Sequence, residues 1–532
     1  MDYTTHPGYD IIGVLATDWE WETDMKIKFR LRDNVWFQDG TPMTAASVKW
    51  NFERCEYFFN GTGDLPATSW EGMPSSLFFH SVTGEWLFKS YAANESDVWD
   101  DGEECMTFTM ELNWGASQFI SLLTFGAQAI LSPTSTPETE YIDLATGTLV
   151  GTGPYKWIHF RRDREVRMER WERYWGTAGY FEVVIFRIIE DDTARTTAAL
   201  AGQFDIAGIP SAQIDTFKAD PDFHVEDIGE DLGYCYFTIY SGEKDYDGDD
   251  LTTTTNNVPY AEYQRNPPAL RRALALATNY TYIWEEIYGG YSVAGTPCVP
   301  RAMPGYNASV VQAHDSDWED NIPIAREYMM DLYPTETAAL TTVMDGGTND
   351  AAWQALTLKT LQVNRHFGHT ANQRMNQLFA DNFGLIGVKT EETIREWGDY
   401  LDVFDALIGV PWESDLGYIC WSPDYINPFN MIDPLFNPQS SSNFCHLNDS
   451  SPGGLVEQLT AGGLELDLEA QYEYWKGIQS YIYDINRPLN PASHAHISGF
   501  VGLVQSIHKV GLIRDDYNVL SAWYIERWYY EE

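Results

Sequence analysis

Residues 26–54 read KIKFRLRDNVWFQDGTPMTAASVKWNFER and place three structural signals in one short segment. Apolar side chains alternate with basic ones over 27–31, which is the period-two pattern of a half-buried strand. The segment DGTP at 39–42 has turn chemistry, because glycine accepts a positive φ and proline fixes φ. Thr44 then predicts the N-cap of a short amphipathic helix. A strand, a turn and a capped helix in this order indicate an α/β protein.

The composition limits both the architecture and the partners. A chain of 532 residues is too long for one hydrophobic core, so we expect two or three lobes. The formal net charge is −46, from 33 basic and 79 acidic residues. Because phosphate contacts need Lys and Arg, this charge argues against nucleic acid and anionic membrane surfaces as partners.

Targeting signals are absent from the sequence as given. The first residues, MDYTTHPGYD, contain neither a basic segment nor an apolar one, so they do not predict a signal peptide. No run approaches the 18 apolar residues of a transmembrane helix. The expectation is a chain without its leader, or a cytoplasmic one.

The cysteine pattern excludes some metal and redox sites but leaves the pairing open. The six cysteines are Cys55, Cys105, Cys235, Cys298, Cys420 and Cys445. None forms a C-x-x-C motif, which argues against a zinc ribbon and a thioredoxin-type site. Scattered buried thiols and disulfides in an exported protein both fit this pattern.

Further elements follow from local patterns. A Gly-Pro loop at 151–155 precedes two alternating segments that predict a β-hairpin ending near residue 170. The apolar segment 183–189, a helix over 192–200 and a strand at 204–207 predict a βαβ unit. We also predict a helix within 117–131 and one long helix within 454–485.

Seven blocks together carry a resemblance to a known family. Besides 26–54, they are GTGPYKW at 151–157, VRMERWERYWG at 166–176, DDTARTTAALAGQFDIAGIP at 191–210, PPALRRALALATN at 267–279, GLIGVKTEETIREWGDYLD at 384–402 and CWSPDYINPFN at 420–430. In this order they resemble family 5 of the extracytoplasmic solute-binding proteins, which serve dipeptide, oligopeptide and nickel ABC importers. Each block alone has low specificity, whereas the ordered set spans nearly the whole chain.

The resemblance implies an α/β fold of the two-lobed periplasmic-binding-protein type, class II-like, with an extra α+β domain. It places the accessory domain at 1–135, the first lobe at 136–235 plus 495–532, and the second lobe at 236–494. Relatives have a leader and an opening strand of the first lobe ahead of the position of Leu15. We therefore expect this lobe to lack a strand and to have an unpaired edge.

The resemblance also implies the residues that hold a peptide. Asp424, in WSPDY, matches the acid that binds the α-amine of the ligand, and Arg365, in QVNRHF, matches the arginine that binds its carboxylate. Such pairing is needed because an unpaired charge in a dry cleft is costly. Asp424 in an ordinary turn and Arg365 at an exposed strand end are the alternative interpretations.

Three aromatic residues are expected as walls of the site: Trp421, Trp397 and Tyr236. For Trp397 and Tyr236 the alternative is an ordinary place in the core. Twenty tryptophans and 32 tyrosines leave stacking on a sugar open as well.

The resemblance further implies a disulfide between Cys235 and Cys420, because oligopeptide-binding relatives have one in these two neighbourhoods. Asp245, Asp247 and Asp249 surround a glycine turn and are a weak candidate for Ca²⁺, with a solvated acidic loop as the alternative. We predict no cofactor and no further metal site.

The functional expectation is capture of a short peptide between two closing lobes and its delivery to the membrane subunits of an ABC importer. The chain would act outside the cytoplasm, as a monomer, and without catalysis. The alternatives are binding of an oligosaccharide or a metal chelate, a cleft hydrolase, and a sensory or chaperone role. The motifs G-x-S-x-G, H-E-x-x-H and the P-loop do not occur, which argues against common hydrolase types.

Overall fold

The computed structural model describes residues 11–59, 78, 86–116, 118–226, 232–240, 266–294, 298–310, 317–404, 414–437, 440, 442–445, 453–465, 467–483, 495–499 and 503–506. Its strands are β1 (Ala16–Thr23), β2 (Lys26–Leu31), β3 (Phe88–Val98), β4 (Glu104–Leu112), β5 (Tyr155–Arg161), β6 (Glu165–Arg170), β7 (Val183–Arg187), β8 (Ile206–Gly208), β9 (Phe223–Glu226), β10 (Tyr234–Ile239), β11 (Ser292–Ala294), β12 (Lys359–His366), β13 (Val388–Arg395), β14 (Leu416–Trp421), β15 (Ala495–Gly499) and β16 (Leu503–Ser506).

Its α-helices are α1 (Ala45–Phe59), α2 (Phe119–Leu122), α3 (Asp192–Leu200), α4 (Ile214–Ala219), α5 (Pro268–Ala277), α6 (Tyr280–Tyr282), α7 (Trp318–Leu332), α8 (Thr348–Ala355), α9 (Thr370–Gly384), α10 (Trp397–Phe404), α11 (Pro428–Phe436), α12 (Leu455–Leu464) and α13 (Leu468–Tyr483). A π-helical turn, Ile283–Ile287, continues α6, and 3₁₀ turns occupy Gly126–Gln128 and Ser211–Gln213.

The accessory domain is the four-stranded antiparallel sheet β1-β2-β4-β3 with α1 packed against it. The predicted strand and helix are both present as β2 and α1. Phe52 of α1 stacks on Phe108 of β4 at a centroid distance of 5.3 Å, and Phe29 of β2 lies 6.5 Å from the same ring. The alternating apolar side chains of β2 therefore face a core that the helix covers.

The turn and helix cap inside 26–54 form as the local sequence predicts. Gly40 has φ +91°, in the left-handed region that glycine tolerates. The Thr44 hydroxyl accepts from the Ser47 N–H at 3.1 Å, and the Ser47 hydroxyl accepts from the Thr44 N–H at 2.9 Å. This is a capping box with serine in place of the usual glutamate. The Glu95 carboxylate accepts from the two preceding N–H groups, those of 45 and 46, so the start of α1 is satisfied.

Asp39 joins this turn to the segment that leads into the first lobe. Its carboxylate accepts hydrogen bonds from the hydroxyls of Ser132 at 2.5 Å and Ser135 at 2.6 Å, and from the hydroxyl and N–H of Thr41. These bonds outweigh partial burial and lower the pKa of the Asp39 carboxyl to about 2. The Gln38 side chain donates to the carbonyls of Gly153 and Tyr155, so the GTGPY loop is anchored to the same turn.

The first lobe contains two three-stranded sheets, β5-β6-β7 and β8-β16-β9. The predicted hairpin is present as β5 and β6. The predicted βαβ unit is wrong in its pairing, because β7 joins β6 while β8 joins β16 in the other sheet. Among the described residues β7 pairs only with β6, and Val183, Ile185 and Phe186 are exposed.

The second lobe is built on the six-stranded sheet β11-β15-β10-β14-β12-β13. All of β10, from Tyr234, belongs to it, and β15 pairs with both β10 and β11. Residues 234–235 and 495–499, which the predicted boundaries assign to the first lobe, thus lie in the second-lobe sheet. The chain returns to the first lobe only with β16.

Two cores cover the two faces of this sheet. Phe237 and Tyr418 face a cluster built with α5, α7, α8 and α9. Tyr236 and Ile419, the neighbouring positions, face a second cluster built with α11, α12 and α13. Because side chains alternate along a strand, each residue of β10 or β14 belongs to one side only.

Two predicted helices are shorter than expected. The described residues 118–131 contain only α2 and a 3₁₀ turn. The Thr124 hydroxyl donates to the Ser121 carbonyl, which competes with helix continuation. The predicted long helix within 454–485 is divided into α12 and α13. Asp467 accepts from the Ala470 N–H ahead of α13 and caps it as a separate helix.

Candidate functional site between the lobes

A cavity of about 280 Å³ lies between the two lobes. The first lobe contributes Asp192 and Arg195 of α3 and residues 209–212. The second lobe contributes Gly233, Cys235, Ile287, Tyr288, His369, Thr370, Ala371, Arg374, Tyr418, Cys420 and Ser422. Its walls therefore come from both sides of the cleft, which is where a ligand enclosed by two lobes would be held.

The loop after β14 places Asp424 close to this cavity, since Ser422 of the same loop is part of the lining. Asn430 accepts from the Asp424 N–H at 2.7 Å and donates to the Asp424 carboxylate at 3.1 Å. Asn427 caps α11 by accepting from the Phe429 N–H at 2.8 Å. The sequence therefore holds the loop by two asparagines and a helix start.

The Asp424 carboxylate is largely buried, and few protein groups offset its negative charge. Burial raises the pKa of this carboxyl, and the hydrogen bond from Asn430 opposes the rise only in part. No described cationic side chain forms a salt bridge with it. A cationic group of a ligand would therefore supply the opposite charge that no described side chain provides to this carboxylate.

The same loop touches the accessory domain. Tyr425 is 3% exposed and belongs to the core of that domain, together with Phe78, Trp86 and Phe108. The residue next to Asp424 is thus inserted into the core of the accessory domain. This contact fixes the position of the loop.

Arg365 forms an ion pair within its own sheet. Its guanidinium lies 3.1 Å from the Glu392 carboxylate on the neighbouring strand β13, and the same oxygen accepts from Asn376 of α9. Arg365 does not line the cavity. Its ligand role stays a prediction from the resemblance.

The three aromatic candidates have different places. Tyr236 is 1% exposed in the core formed with α11, α12 and α13, which is the alternative that the sequence left open. Trp421 is half-buried on the same side of the sheet and donates to the Asn430 carbonyl at 3.0 Å. Trp397 is 43% exposed at the start of α10, 5.0 Å from the His366 ring. None of the three lines the cavity.

Cys235 and Cys420 are disulfide-bonded and face the cavity. They are directly opposite each other on the antiparallel strands β10 and β14, and their Cα atoms are 3.9 Å apart. The pairing is the one that the resemblance implies. The disulfide joins the two central strands of the second lobe at the surface that faces the first.

A contact between the lobes closes one side of the cavity. The Asp192 carboxylate accepts from the N–H and the hydroxyl of Thr370, at 2.9 and 2.8 Å, and the Asp192 N–H donates to the Gly368 carbonyl at 3.1 Å. Gly368 has φ +73°, and a Cβ there would lie 2.9 Å from the Asp191 Cα. Glycine is therefore required both by the backbone angle and by the close approach of the lobes.

Sequence reasoning did not select the residues of this contact. Asp192 and Thr370 are separated by 178 positions, and each looks locally like an ordinary residue in the first turn of a helix. The block DDTAR was part of the resemblance, but nothing in it indicates what Asp192 binds. Only the two helix starts at Asp192 and Thr370 could have drawn attention to these positions.

Metal ligation has no support in the described part of the chain. The described residues contain no group of three or more His, Cys, Asp or Glu side chains that could hold a metal ion. The weak Ca²⁺ candidates, Asp245, Asp247 and Asp249, lie outside those residues. No described helix is both long and apolar enough to cross a membrane.

A family model described as "Bacterial extracellular solute-binding proteins, family 5 Middle" matches residues 10–443. The chain belongs to this family. The dipeptide-binding protein of Escherichia coli is 22% identical over 450 residues, 81% of this chain and 71% of that protein. The probable D,D-dipeptide-binding periplasmic protein DdpA of the same organism is 24% identical over 512 residues, 92% of this chain and 82% of that protein.

Solved structures show that this family member has the two-lobed fold. The periplasmic binding protein DppA of Helicobacter pylori, in complex with the peptide STSA, superposes with a TM-score of 0.69 at 19% identity, covering 98% of this chain and 90% of that one. The murein tripeptide binding protein MppA of Escherichia coli gives 0.71 at 16% identity, with coverages of 98% and 90%. NikA of Staphylococcus aureus, in complex with Ni(L-His)2, gives 0.70 at 13% identity, with coverages of 97% and 91%.

Proposed function

We propose that this protein captures a short peptide between its two lobes outside the cytoplasm and delivers it, chemically unchanged, to the membrane subunits of an ABC importer. This proposal rests on the cavity that both lobes line and on Asp424, a largely buried residue in the same loop as the lining residue Ser422. The family supplies the transport context, and peptide-binding proteins are among its similar members. The protein works as a monomer.

In this proposal Asp424 binds the α-amine of the peptide. An ammonium group compensates the buried carboxylate better than the Asn430 amide can alone, because it brings a full opposite charge as well as hydrogen-bond donors. Trp397, whose indole is 43% exposed, and Trp421 at the start of the loop contact the side chains of the ligand. Tyr236 has no role at the ligand, because it is buried in the core.

A thermal-shift screen tests the class of ligand. Peptides of two to five residues, cello- and manno-oligosaccharides and a nickel–histidine chelate would each be added to the purified chain. A peptide at 100 times its Kd should stabilise the protein by about 2.7 kcal/mol through mass action. A response only to sugars or to the chelate would refute peptide capture.

The amine contact is tested by Asp424→Asn, which keeps the shape of the side chain and removes its charge. We expect this variant to lose the thermal shift that peptides with a free amine cause. With N-acetylated peptides, its thermal shift should be no larger than that of wild type. Asp399→Asn is the matched control, because Asp399 lies exposed on α10. Equal affinity of Asp424→Asn and wild type for a free-amine peptide would disprove the role of Asp424.

The absence of chemistry is tested on the same complex. After prolonged incubation with the protein, the ligand should be recovered with its mass unchanged. Release of shorter peptides in proportion to protein concentration would favour a hydrolase instead.

A further inference from the structure

The Cys235–Cys420 disulfide lies where a small molecule in the cavity can reach it. Both cysteines line the cavity, and Cys420 is exposed while Cys235 is half-buried. Exposed disulfides are the ones that react with thiols, whereas buried structural disulfides resist exchange. The position of this bond therefore suits it to chemistry inside the cavity as well as to stability.

A hydroxyl group lies beside one of the two sulfur atoms. The Tyr418 hydroxyl is 3.5 Å from the Cys420 Sγ. Because a disulfide sulfur carries no proton, the hydroxyl is the donor in this contact. A thiolate leaves more readily when its negative charge is stabilised, so this donor favours the Cys420 sulfur as the leaving group.

A second tyrosine supports the Tyr418 hydroxyl in this role. The hydroxyls of Tyr288 and Tyr418 are hydrogen-bonded to each other, and both residues line the cavity. Since the Tyr418 proton is directed to Cys420, Tyr288 is the donor within the pair. Burial raises the pKa of Tyr288 to about 12 and raises the pKa of Tyr418 well above its ordinary value. Both hydroxyls therefore keep their protons at neutral pH.

The charge of the cavity favours the reactive form of an incoming thiol. The charged side chains of its lining are Arg195, Arg374 and Asp192, whereas the whole chain has a formal net charge of −46. Neighbouring guanidinium groups lower the pKa of a thiol, and the thiolate is the nucleophile in exchange. A small thiol therefore has a larger thiolate fraction in this cavity than at the acidic outer surface.

We propose that the Cys235–Cys420 disulfide is a reversible exchange site for small thiols that enter the cavity. The thiolate sulfur attacks the Cys235 Sγ and forms a new disulfide bond with it, while the bond between the two cysteines breaks. The electron pair of the broken bond goes to the Cys420 Sγ, which accepts a hydrogen bond from Tyr418 and takes a proton from solvent. The incoming sulfur is oxidised to a disulfide and Cys420 is reduced to a thiol, so no further oxidant is needed.

The reverse reaction returns the ligand unchanged. The Cys420 thiolate attacks the Cys235 Sγ, the ligand thiolate leaves, and the original disulfide forms again. A ligand that contains a thiol is therefore held by a temporary covalent bond in addition to its other contacts. This chemistry does not require peptide capture, so a thiol that is not a peptide can test it.

Exchange is measured on the oxidised protein with L-cysteine, and with L-serine as the analogue that lacks the sulfur. After a short incubation, excess N-ethylmaleimide stops the reaction and labels the released thiol, and peptide mapping locates both groups. We expect L-cysteine on Cys235 and N-ethylmaleimide on Cys420, and neither of them after incubation with L-serine. A disulfide that stays intact in L-cysteine, or L-cysteine attached to Cys420, would overturn the assignment.

Tyr418→Phe tests the donor and should slow the exchange at least about fivefold, because the leaving thiolate loses its hydrogen bond. Tyr280→Phe is the matched control. It removes another buried hydroxyl of the second lobe, which donates to the Ala275 carbonyl at 3.1 Å, and Tyr280 does not line the cavity. This control should react at the wild-type rate. Equal rates in Tyr418→Phe and wild type, or equal slowing in both variants, would overturn the role of Tyr418.

Access through the cavity is tested with a thiol that is too large to enter it. A folded protein with one exposed cysteine carries the same reactive group as L-cysteine but does not fit a space of about 280 Å³. It should leave the disulfide intact in the native protein and attack it once urea has unfolded the chain. Attack on the native protein at the rate of L-cysteine would place the bond at the outer surface and overturn the cavity site.

Discussion

The burial of Asp424 lowers the stability of the unliganded protein at neutral pH. Because its carboxyl has a raised pKa in the folded protein, the folded state holds this proton more firmly than the unfolded state does. The stability that this group contributes is present below the ordinary pKa of 3.8 and is lost as pH rises through the raised value. A bound ammonium would restore it.

We therefore expect unliganded Asp424→Asn to be more stable than wild type at pH 7, by about 1 kcal/mol, the scale of a poorly satisfied buried polar group. The difference should shrink as pH falls toward 4, where the wild-type carboxyl becomes neutral. Melting temperatures of both proteins from pH 4 to 8 measure this. A variant that is less stable at pH 7, or a gap that widens in acid, would contradict the electrostatic account.

Gly368 is the residue that allows the lobes to meet. Gly368→Ala should cost about 1–3 kcal/mol from its left-handed φ alone. The new Cβ would also contact the Asp191 backbone and separate the lobes, which should increase the radius of gyration in X-ray scattering. Gly346→Ala is the matched control, because its φ is +61° and nothing lies within 4 Å of the added Cβ. Equal scattering from both variants would show that Gly368 does not set the approach.

At the scale of elements, the start of α1 combines a local signal with a distant one. The reciprocal bonds of Thr44 and Ser47 follow from the sequence, whereas Glu95 reaches the helix from β3. Two of the first N–H groups therefore depend on tertiary structure, and a local reading of 26–54 cannot find their partner.

Thr44→Ala should destabilise α1 by about 1 kcal/mol, because one cap bond is lost while those to Glu95 remain. Hydrogen exchange at 47–50 should then become about fivefold faster. Thr193→Ala, an exposed threonine of α3, is the control and should leave exchange in α1 unchanged. No acceleration in Thr44→Ala would mean that Glu95 alone fixes this helix end.

For strand β10, the sequence predicts the element but not which of its faces meets the cavity. Its apolar residues predict a strand, but both faces are apolar, so the pattern does not tell which face meets the cavity. The pairing with β14 and the helices on each side decide that Cys235 faces the cavity and Tyr236 the core. The sequence pattern therefore fits Tyr236 either as a ligand wall or as a core residue, and the structure places it in the core.

At the scale of the whole molecule, the disulfide closes a loop of 185 residues. Cys235→Ala combined with Cys420→Ala should lower the stability of the second lobe by about 2–4 kcal/mol, chiefly because the unfolded chain gains freedom. A reducing agent should lower the melting temperature of wild type and leave that of the double variant unchanged. Mass mapping that finds both thiols free in the oxidised protein would contradict this.

The amino-acid sequence by itself determined the local elements and the family. The strand, turn and capped helix of 26–54, the hairpin at 155–170 and the ordered blocks depend on periodicity, turn chemistry and capping, which act between near neighbours. Asp424 was found only because its surrounding motif resembles that of relatives.

Tertiary structure alone decided which side chains share the cavity. Asp192 and Thr370 meet across 178 positions, and Arg374 faces the same space only because α9 is docked against α3 of the other lobe. Contacts of this kind depend on how lobes pack, and no local pattern encodes them. Local sequence patterns therefore determine the elements of each lobe, and the packing of the two lobes forms the cavity.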